Sequence, residues 1–277
     1  MDQVLPHDAQ PAIVSFPAIA TCRTRGGDEE RLVCIAEETP VAFRYNGFPH
    51  AVMMATPDDL EDFATGFSKS EGIIEGCSDA HNISVCQSCE GTTIDISLAG
   101  NALRRYLASR RVRQLRGHTS CGLCGVEDLH DVRRPAARVA SAKSLRTDSI
   151  QSALNALRAW QPLSRYTRGA HASAWVALEG NLCAVREDVG RHNSLDKLIG
   201  TILRNGLRAD DGFCLITSRC SFEMVQKAVA AGFPALVSVG APTALAIRLA
   251  MAAGLRLYSL SRDGEPMQFA SPVRSED

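Results

Sequence analysis

The stretch that decides the fold runs from Phe213 to Leu260. It reads FCLIT at 213–217, SRCS at 218–221, FEMVQKAVAA at 222–231, ALVSV at 235–239, TALAIRLAMAA at 243–253 and LRLYSL at 255–260. Three short apolar runs are separated by two segments of helical length and helical apolar spacing. Strand–helix–strand alternation of this kind predicts an α/β layer with parallel neighbours. Upstream, 191–205 reads as a further helix with Leu195, Leu198 and Ile199 facing in. Before it, Ala174–Leu178 and Leu182–Val185 flank Glu179-Gly180-Asn181, a hairpin pattern.

Working outward, the front half has a different rhythm. Leu32–Ala36 and Val41–Tyr45 read as strands, and Asn46-Gly47 is a hairpin-type turn before Ala51–Met54. Thr56 before Pro57 suits a helix N-cap followed by N1, opening a helix with Leu60, Phe63, Ala64 and Phe67 on one face. Ile83–Val85 and Ile94–Ile96 alternate as strands, and Ala102–Arg116 reads as a basic helix. Asp148 or Ser149 is expected to cap a helix whose apolar face carries Ile150, Leu154 and Leu157. The division expected is a loosely ordered segment over 1–30, an α+β domain over 31–131, a linker over 132–147 and an α/β domain over 148–277. Leu255–Leu260 is expected to be the final strand.

Composition narrows the function classes. The chain has 277 residues, 45% hydrophobic and 22% charged, with a net charge of -1. That balance argues against a general nucleic-acid coat. No basic start followed by an apolar core opens the chain, and no apolar run is long enough to span a membrane, so a cytoplasmic location is expected. In a reducing compartment, the ten cysteines read as core filler, metal ligands or reactive thiols.

Chemistry concentrates in two places. The first is Cys121-Gly122-Leu123-Cys124-Gly125, whose glycines permit a tight, accessible turn. Six arginines (Arg104, Arg105, Arg110, Arg111, Arg113, Arg116) and His118 precede it without a carboxylate among them. Such surroundings raise the thiolate fraction, though a solvated helix face explains the arginines equally well. A second pair, Cys86 and Cys89, leaves a four-thiolate zinc site open, with 31 residues between Cys89 and Cys121. Cys34, Cys183 and Cys214 read as buried filler, whereas Cys220, at a strand-to-helix turn, is harder to dismiss.

The second place is the set of strand ends in the back half. Arg186–Asn193, Ser218–Ser221 and Gly240–Thr243 each follow a strand and precede a helix. Ligands of α/β sheets bind at such carboxyl ends, and helix N-termini with nearby arginines suit phosphates. A capped helix start with Asp188 or Asn193 is the structural alternative for the first. Thr167–His171 adds to the rim. Dinucleotide (GxGxxG), P-loop, HExxH and zinc-deaminase patterns are all missing from the sequence.

These residues carry a resemblance. Arg44-Tyr45-Asn46-Gly47, Ser70–Ile74, Cys121–Gly125, Glu187–Asn193, Asp196-Lys197, Ser221–Lys227 and Ala241-Pro242-Thr243, in this order, resemble the formate dehydrogenase accessory sulfurtransferases, the FdhD/NarQ family. The match covers essentially 31–265. It implies an α/β fold with a cytidine-deaminase-like back half and a smaller α+β front domain. It also implies a cytoplasmic homodimer that takes persulfide sulfur from a cysteine desulfurase and passes it to molybdenum cofactor. The recipient is Mo-bis-molybdopterin guanine dinucleotide, before insertion into formate dehydrogenase, and a guanine nucleotide such as GDP suits the same site. Cys121 falls on the persulfide-bearing cysteine and Cys124 on its partner. The cofactor segment falls on Leu260, Ser261, Arg262, Asp263, Gly264 and Glu265, with Arg191, His192, Ser218 and Arg219 as further candidates. No protein metal ligand is implied. Leu260 stands where the family has an aromatic, and Asp263 and Glu265 make the segment less basic than usual. The alternative reading is a zinc-stabilised or thiol-independent chaperone for the cofactor.

Overall fold

The structure is a computed structural model that describes residues 15–24, 27–114, 138–140 and 144–271. The Cys121–Gly125 motif, His118 and most of the 132–147 linker lie outside the described residues.

The back half forms a six-stranded sheet. Its strands are β7 (His171–Ala177), β8 (Leu182–Asp188), β9 (Gly212–Ile216), β10 (Ala235–Ser238), β11 (Arg256–Leu260) and β12 (Pro266–Ala270), in the order β12-β11-β10-β9-β7-β8. β9, β10 and β11 are parallel, as their helical crossovers require. β7 and β12 run antiparallel to their neighbours, so the sheet is mixed rather than uniformly parallel. β11 is not the last strand: residues 261–265 turn tightly and β12 returns beside it. Alternation along the strands divides the core. Cys214, Ile216, Leu236 and Leu257 face α5 (Arg191–Arg204), α6 (Phe222–Ala231) and α7 (Ala244–Ala253). Phe213, Leu215, Ala235 and Val237 face α3 (Thr147–Leu157) on the other side.

The front half is a four-stranded sheet of β3 (Thr39–Tyr45), β4 (Phe48–Ala55), β5 (Ala80–Ser88) and β6 (Gly91–Leu98), ordered β4-β3-β6-β5. The Asn46-Gly47 turn joins β3 to β4, both residues at positive φ. One face is covered by α1 (Leu60–Ser70) and α2 (Gly100–Gln114) through Phe43, Tyr45, Phe63, Phe67 and Tyr106. Phe43 meets Phe63 edge-on with ring centroids 5.0 Å apart.

α1 then packs on α5 and joins the two halves. The contact is close because glycines face backbone. A Cβ at Gly66 would lie 1.7 Å from the Asp196 carbonyl oxygen, and one at Gly200 would lie 1.8 Å from that of Asp62. Asp62 is buried in the seam and accepts from Arg186 (2.8 Å), Thr201 (2.8 Å) and Arg204 (2.7 Å). Breaking one partner of a buried cluster leaves an uncompensated charge, at a cost of about 3–5 kcal/mol.

Several local expectations change. Within the segment expected to be loosely ordered, β1 (Ser15–Thr24) pairs with β2 (Gly27–Ala36) in an antiparallel ribbon. Thr56 does not cap α1; the helix begins at Leu60, after Asp59 with φ 51. Thr56 instead serves the back half, as described below. α3 begins at Thr147, so Asp148 and Ser149 lie in its first turn, and Arg146 stands at the cap. The described pieces of the linker are held by the back half: the Val139 N–H donates to the Ala253 carbonyl (3.1 Å), and the Leu145 N–H to the Tyr258 hydroxyl (3.2 Å). Cys34 lies exposed on the ribbon rather than in a core, and Cys183 is only partly covered, while Cys214 is buried as expected. Among the described residues no strand outside the ribbon pairs with it, and Cys34 is left uncovered.

Candidate functional site

β7 runs against β8 and β9, so its first residue lies at the edge where those strands end. His171 pairs with Asp188, and Ser173 with Ile216. The ends of β10 and β11 reach the same edge. The Gly240 N–H donates to the Ser218 carbonyl (3.1 Å), and Ser259 Oγ to the Gly240 carbonyl (3.1 Å). The structure thus places His171, Arg191, His192, Ser218, Arg219, the Gly240–Thr243 turn and the Leu260–Glu265 turn along one edge of the sheet. The expected convergence of strand ends is present. A Cβ at Gly240 would meet the Arg219 nitrogen at 2.8 Å, so only glycine lets the two loops approach this closely.

The Arg186–Asn193 cluster divides in two. Four of its members are structural. Arg186 pairs with Asp62 and Asp59. The Glu187 carboxylate accepts from the Leu163 and Ser164 N–H groups (both 2.8 Å), capping α4 (Pro162–Thr167). Asp188 is fully buried and ion-paired with buried Lys197 at 2.7 Å. It also accepts from the N–H groups of Thr56 (3.0 Å) and Gly190 (2.7 Å), and from Asn193 Nδ2 (3.0 Å). Lys197 donates to the Thr56 carbonyl (2.9 Å), and the Val189 N–H to Thr56 Oγ1 (3.2 Å). This network ties the start of α5 to the β4–α1 connection.

The other members, Arg191 and His192, occupy the first turn of α5. Its N-cap, Gly190, offers no side-chain cap, and α6 likewise opens at Ser221 without one. α7, by contrast, is capped by Thr243, whose Oγ1 accepts from Ala246 (3.2 Å). Helical spacing places His192 and Asp196 on one face of α5, and Glu223 and Lys227 on one face of α6. The lower pair is closed: Lys227 Nζ lies 2.8 Å from Asp196, and Ser70 Oγ donates to the same carboxylate at 2.7 Å. The upper level is open. Arg191 Nε, His192 Nε2, Ser221 Oγ and Glu223 Oε2 are buried without a hydrogen-bond partner. Buried polar atoms of this kind are uncommon and mark a place where water or a ligand is needed.

Electrostatics follow from burial and neighbouring cations. Burial pushes His192 down to about 4, helped by Lys227 and Arg191 and opposed by Glu223. His171 is lowered for the same first reason, with Arg191 adding to it. Both imidazoles are thus held neutral, each with one nitrogen able to donate and the other to accept. Burial raises the Asp196 carboxyl, against the pull of Lys227. Arg219 and Arg262 are exposed at the rim. Ser218 is buried and spends its hydroxyl on the Arg219 carbonyl at 3.0 Å. The Leu260–Glu265 segment closes on itself: Ser261 donates its N–H to the Glu265 carbonyl (2.8 Å) and accepts the Glu265 N–H on Oγ (3.0 Å). Uncapped helix starts, arginines and neutral histidines together suit an anionic group carrying further donors and acceptors.

The thiols separate in a similar way. Cys220, beside this edge, is fully buried, and burial raises its thiol to about 12, so it is inert packing. Cys86 and Cys89 are both exposed at the β5–β6 hairpin. No group of three or more metal-ligating side chains occurs among the described residues. Ser221 lies in the expected Ser218–Ser221 strand end, whereas Glu223 and Lys227 were not among the site candidates taken from the sequence. The signal for them is the matched i, i+4 spacing of His192/Asp196 and Glu223/Lys227, which becomes meaningful only once α5 and α6 are known to be neighbours.

A family model, the FdhD/NarQ family, matches residues 36–276. The chain belongs to this family. Sulfur carrier protein FdhD of Xanthomonas euvesicatoria pv. vesicatoria is 46% identical over 253 residues, 91% of this chain and 89% of the relative. The protein of the same name from Cupriavidus necator is 48% identical over 240 residues, covering 87% and 83%. A crystal structure of a formate dehydrogenase accessory protein from Desulfotalea psychrophila aligns with TM-score 0.72 and 26% identity. That alignment covers 94% of this chain and 99% of the other. No helix among the described residues is long and apolar enough to cross a membrane.

Proposed function

We propose that this FdhD/NarQ member is a sulfur carrier in formate dehydrogenase maturation, with Cys121 as its persulfide cysteine. The relatives that cover most of the chain are named sulfur carrier proteins. The observation that carries the cofactor half of the reading is the open polar level at the carboxyl edge, formed by Arg191, His192, Ser221 and Glu223. In this reading the edge holds Mo-bis-molybdopterin guanine dinucleotide as substrate, its phosphates toward Arg191, Arg219, Arg262 and the two uncapped helix starts. A guanine nucleotide such as GDP occupies the same place. The strand order β8-β7-β9-β10-β11, with β7 alone antiparallel among them, supports the cytidine-deaminase-like description of the back half.

The sulfur chemistry balances without an external oxidant. The Cys121 thiolate attacks the outer sulfur of a persulfide on a cysteine desulfurase. The donor's S–S bond breaks, a new one forms on Cys121, and the donor leaves as a thiolate. Attack of Cys124 on the Cys121 sulfur then releases hydrosulfide to the cofactor, leaving a Cys121–Cys124 disulfide. The persulfide is reduced and the dithiol oxidised by the same two electrons. Further parts of the proposal are a cytoplasmic location, a homodimeric state and delivery of the cofactor to formate dehydrogenase.

Complementation tests the reading. In a strain lacking this protein, Cys121→Ala is expected to give no formate dehydrogenase activity. After incubation with desulfurase and cysteine, wild type gains one sulfur mass at Cys121, and Cys121→Ala gains none. Full activity from both Cys121→Ala and Cys124→Ala sinks the thiol mechanism in favour of a thiol-independent chaperone. Near-stoichiometric zinc bound by Cys86, Cys89, Cys121 and Cys124 turns the reading toward a zinc-stabilised module.

A further inference from the structure

Of the four side chains with open atoms at the carboxyl edge, Glu223 alone is an acid, and its Oε2 is buried without a hydrogen-bond partner. Lys227, one helical turn on, offers it no cation. The Lys227 amine is spent on both Asp196 oxygens (2.8 and 2.9 Å) and on Ser70 Oγ (2.9 Å). The charges of Glu223, Arg191 and Lys227 all act on His192, which places the acid, the arginine and the imidazole in one small space. The acid is also held in place. Met224 and Val225, beside it, are fully buried in the core. The loop before α6 is tied to its neighbour by the Cys220 N–H donating to the Ala241 carbonyl (3.3 Å) and the Thr243 N–H to the Cys220 carbonyl (3.0 Å). Ser221 stands at the N-cap of α6, where a serine hydroxyl ordinarily accepts from the first N–H groups of the helix, yet it makes no such bond. The open level is thus built on rigid backbone, the setting in which a recognition group acts with precision.

This chemistry narrows what the level can hold. A partly buried carboxylate repels a phosphate and needs hydrogen-bond donors from its ligand. Phosphates therefore sit on the arginine side, toward Arg191, Arg219 and Arg262, and the group facing Glu223 is an uncharged one. The two oxygens of a carboxylate fit two parallel N–H donors. Guanine and pterin rings present such a pair, a ring N–H beside an exocyclic amine, with a carbonyl next to it. Adenine sets a ring lone pair against the acid instead, and xanthine sets a carbonyl. The neighbouring carbonyl of guanine or pterin suits Ser221 Oγ or the neutral His192, each able to donate.

We infer that Glu223 is the specificity-determining residue of this edge, its carboxylate accepting from the ring N–H and the exocyclic amine of the amino-oxopyrimidine edge that guanine and pterin share. The inference rests on the cofactor half of the function proposed above and names the group that chooses the ring.

Calorimetry on the full chain with GDP, ADP, xanthosine diphosphate and hydroxymethylpterin tests it. Wild type is expected to bind GDP and to bind ADP about 100-fold more weakly, because ADP leaves the acid unpaired. Glu223→Gln keeps one acceptor and gains one donor, the complement of xanthine. It is expected to bind GDP about 30-fold more weakly and xanthosine diphosphate about 10-fold more tightly than wild type does. A variant that merely folds badly gains affinity for nothing, so the gain separates recognition from stability. The two ring sources separate in the same titrations. A loss for GDP in Glu223→Gln assigns the edge to guanine, a loss for hydroxymethylpterin alone assigns it to the pterin, and either upholds the role of Glu223. Unchanged affinities for both, with no gain for xanthosine diphosphate, overturn that role and leave the nucleotide site standing. A wild type that binds neither GDP nor hydroxymethylpterin overturns the cofactor site itself.

Discussion

His192 shows how burial sets chemistry at one residue. Its folded value of about 4 lies below the ordinary 6.5. Above about pH 6.5 both folded and unfolded states hold it neutral, and it contributes nothing to the pH dependence. As pH falls from 6.5 toward 4, the unfolded chain takes up a proton that the folded site refuses, so stability is lost. At pH 5 that loss is about 2 kcal/mol. Asp196 acts with the opposite sign, because its raised carboxyl accepts a proton earlier in the folded state. Comparing variants removes this background. Urea unfolding at pH 7 and pH 5 is expected to show wild type losing about 2 kcal/mol more than His192→Gln. Identical losses would mean that the imidazole is not held neutral by burial. Such a residue could be nominated from the sequence, because His192 opens a helix after a strand. Its state could not, because Lys227 and Glu223 come from another helix.

At the scale of elements, the α1–α5 crossing joins the halves. Gly66 and Gly200 are ordinary helix residues in the sequence, each expected to weaken its helix by up to about 1 kcal/mol relative to alanine. In the fold each faces the other helix's backbone at a distance no Cβ tolerates. Gly200→Ala is therefore expected to destabilise by about 3 kcal/mol or more, since rigid backbone must move. Gly100, at the start of α2, has nothing within 4 Å of an added Cβ. Gly100→Ala is expected to be neutral or to stabilise by up to about 1 kcal/mol. Equal midpoints for both variants in urea would contradict the close crossing. The same crossing explains the misread cap at Thr56. Thr-Pro is a sound local cap signal, but Asp188, Val189 and Lys197 compete for Thr56 from more than 130 residues away, and the buried network wins.

At the scale of the whole molecule, the proposed function depends on the loops that one sheet edge collects. GDP is expected to bind there and raise the unfolding temperature. At a hundredfold excess over its dissociation constant it adds about 2.7 kcal/mol of stability. Arg191→Ala is expected to weaken binding about tenfold or more in calorimetry. No GDP binding by wild type would remove the nucleotide from this edge. The sequence by itself determined the alternating strands and helices of 213–260, because short apolar runs between glycine and proline breaks permit little else. Through the ordered motifs it also determined the family. It did not determine which polar residues were free for chemistry. Arg186, Glu187, Asp188 and Asn193 looked like ligand groups, and only the tertiary structure assigned them to the seam and to α4. The reason is physical: a polar residue's role depends on whether its partners are already supplied by the chain. Those partners here lie about 25 residues away for Glu187 and include groups more than 120 residues away for Arg186, Asp188 and Asn193, so only folding shows that Arg191, His192, Ser221 and Glu223 are left with open atoms.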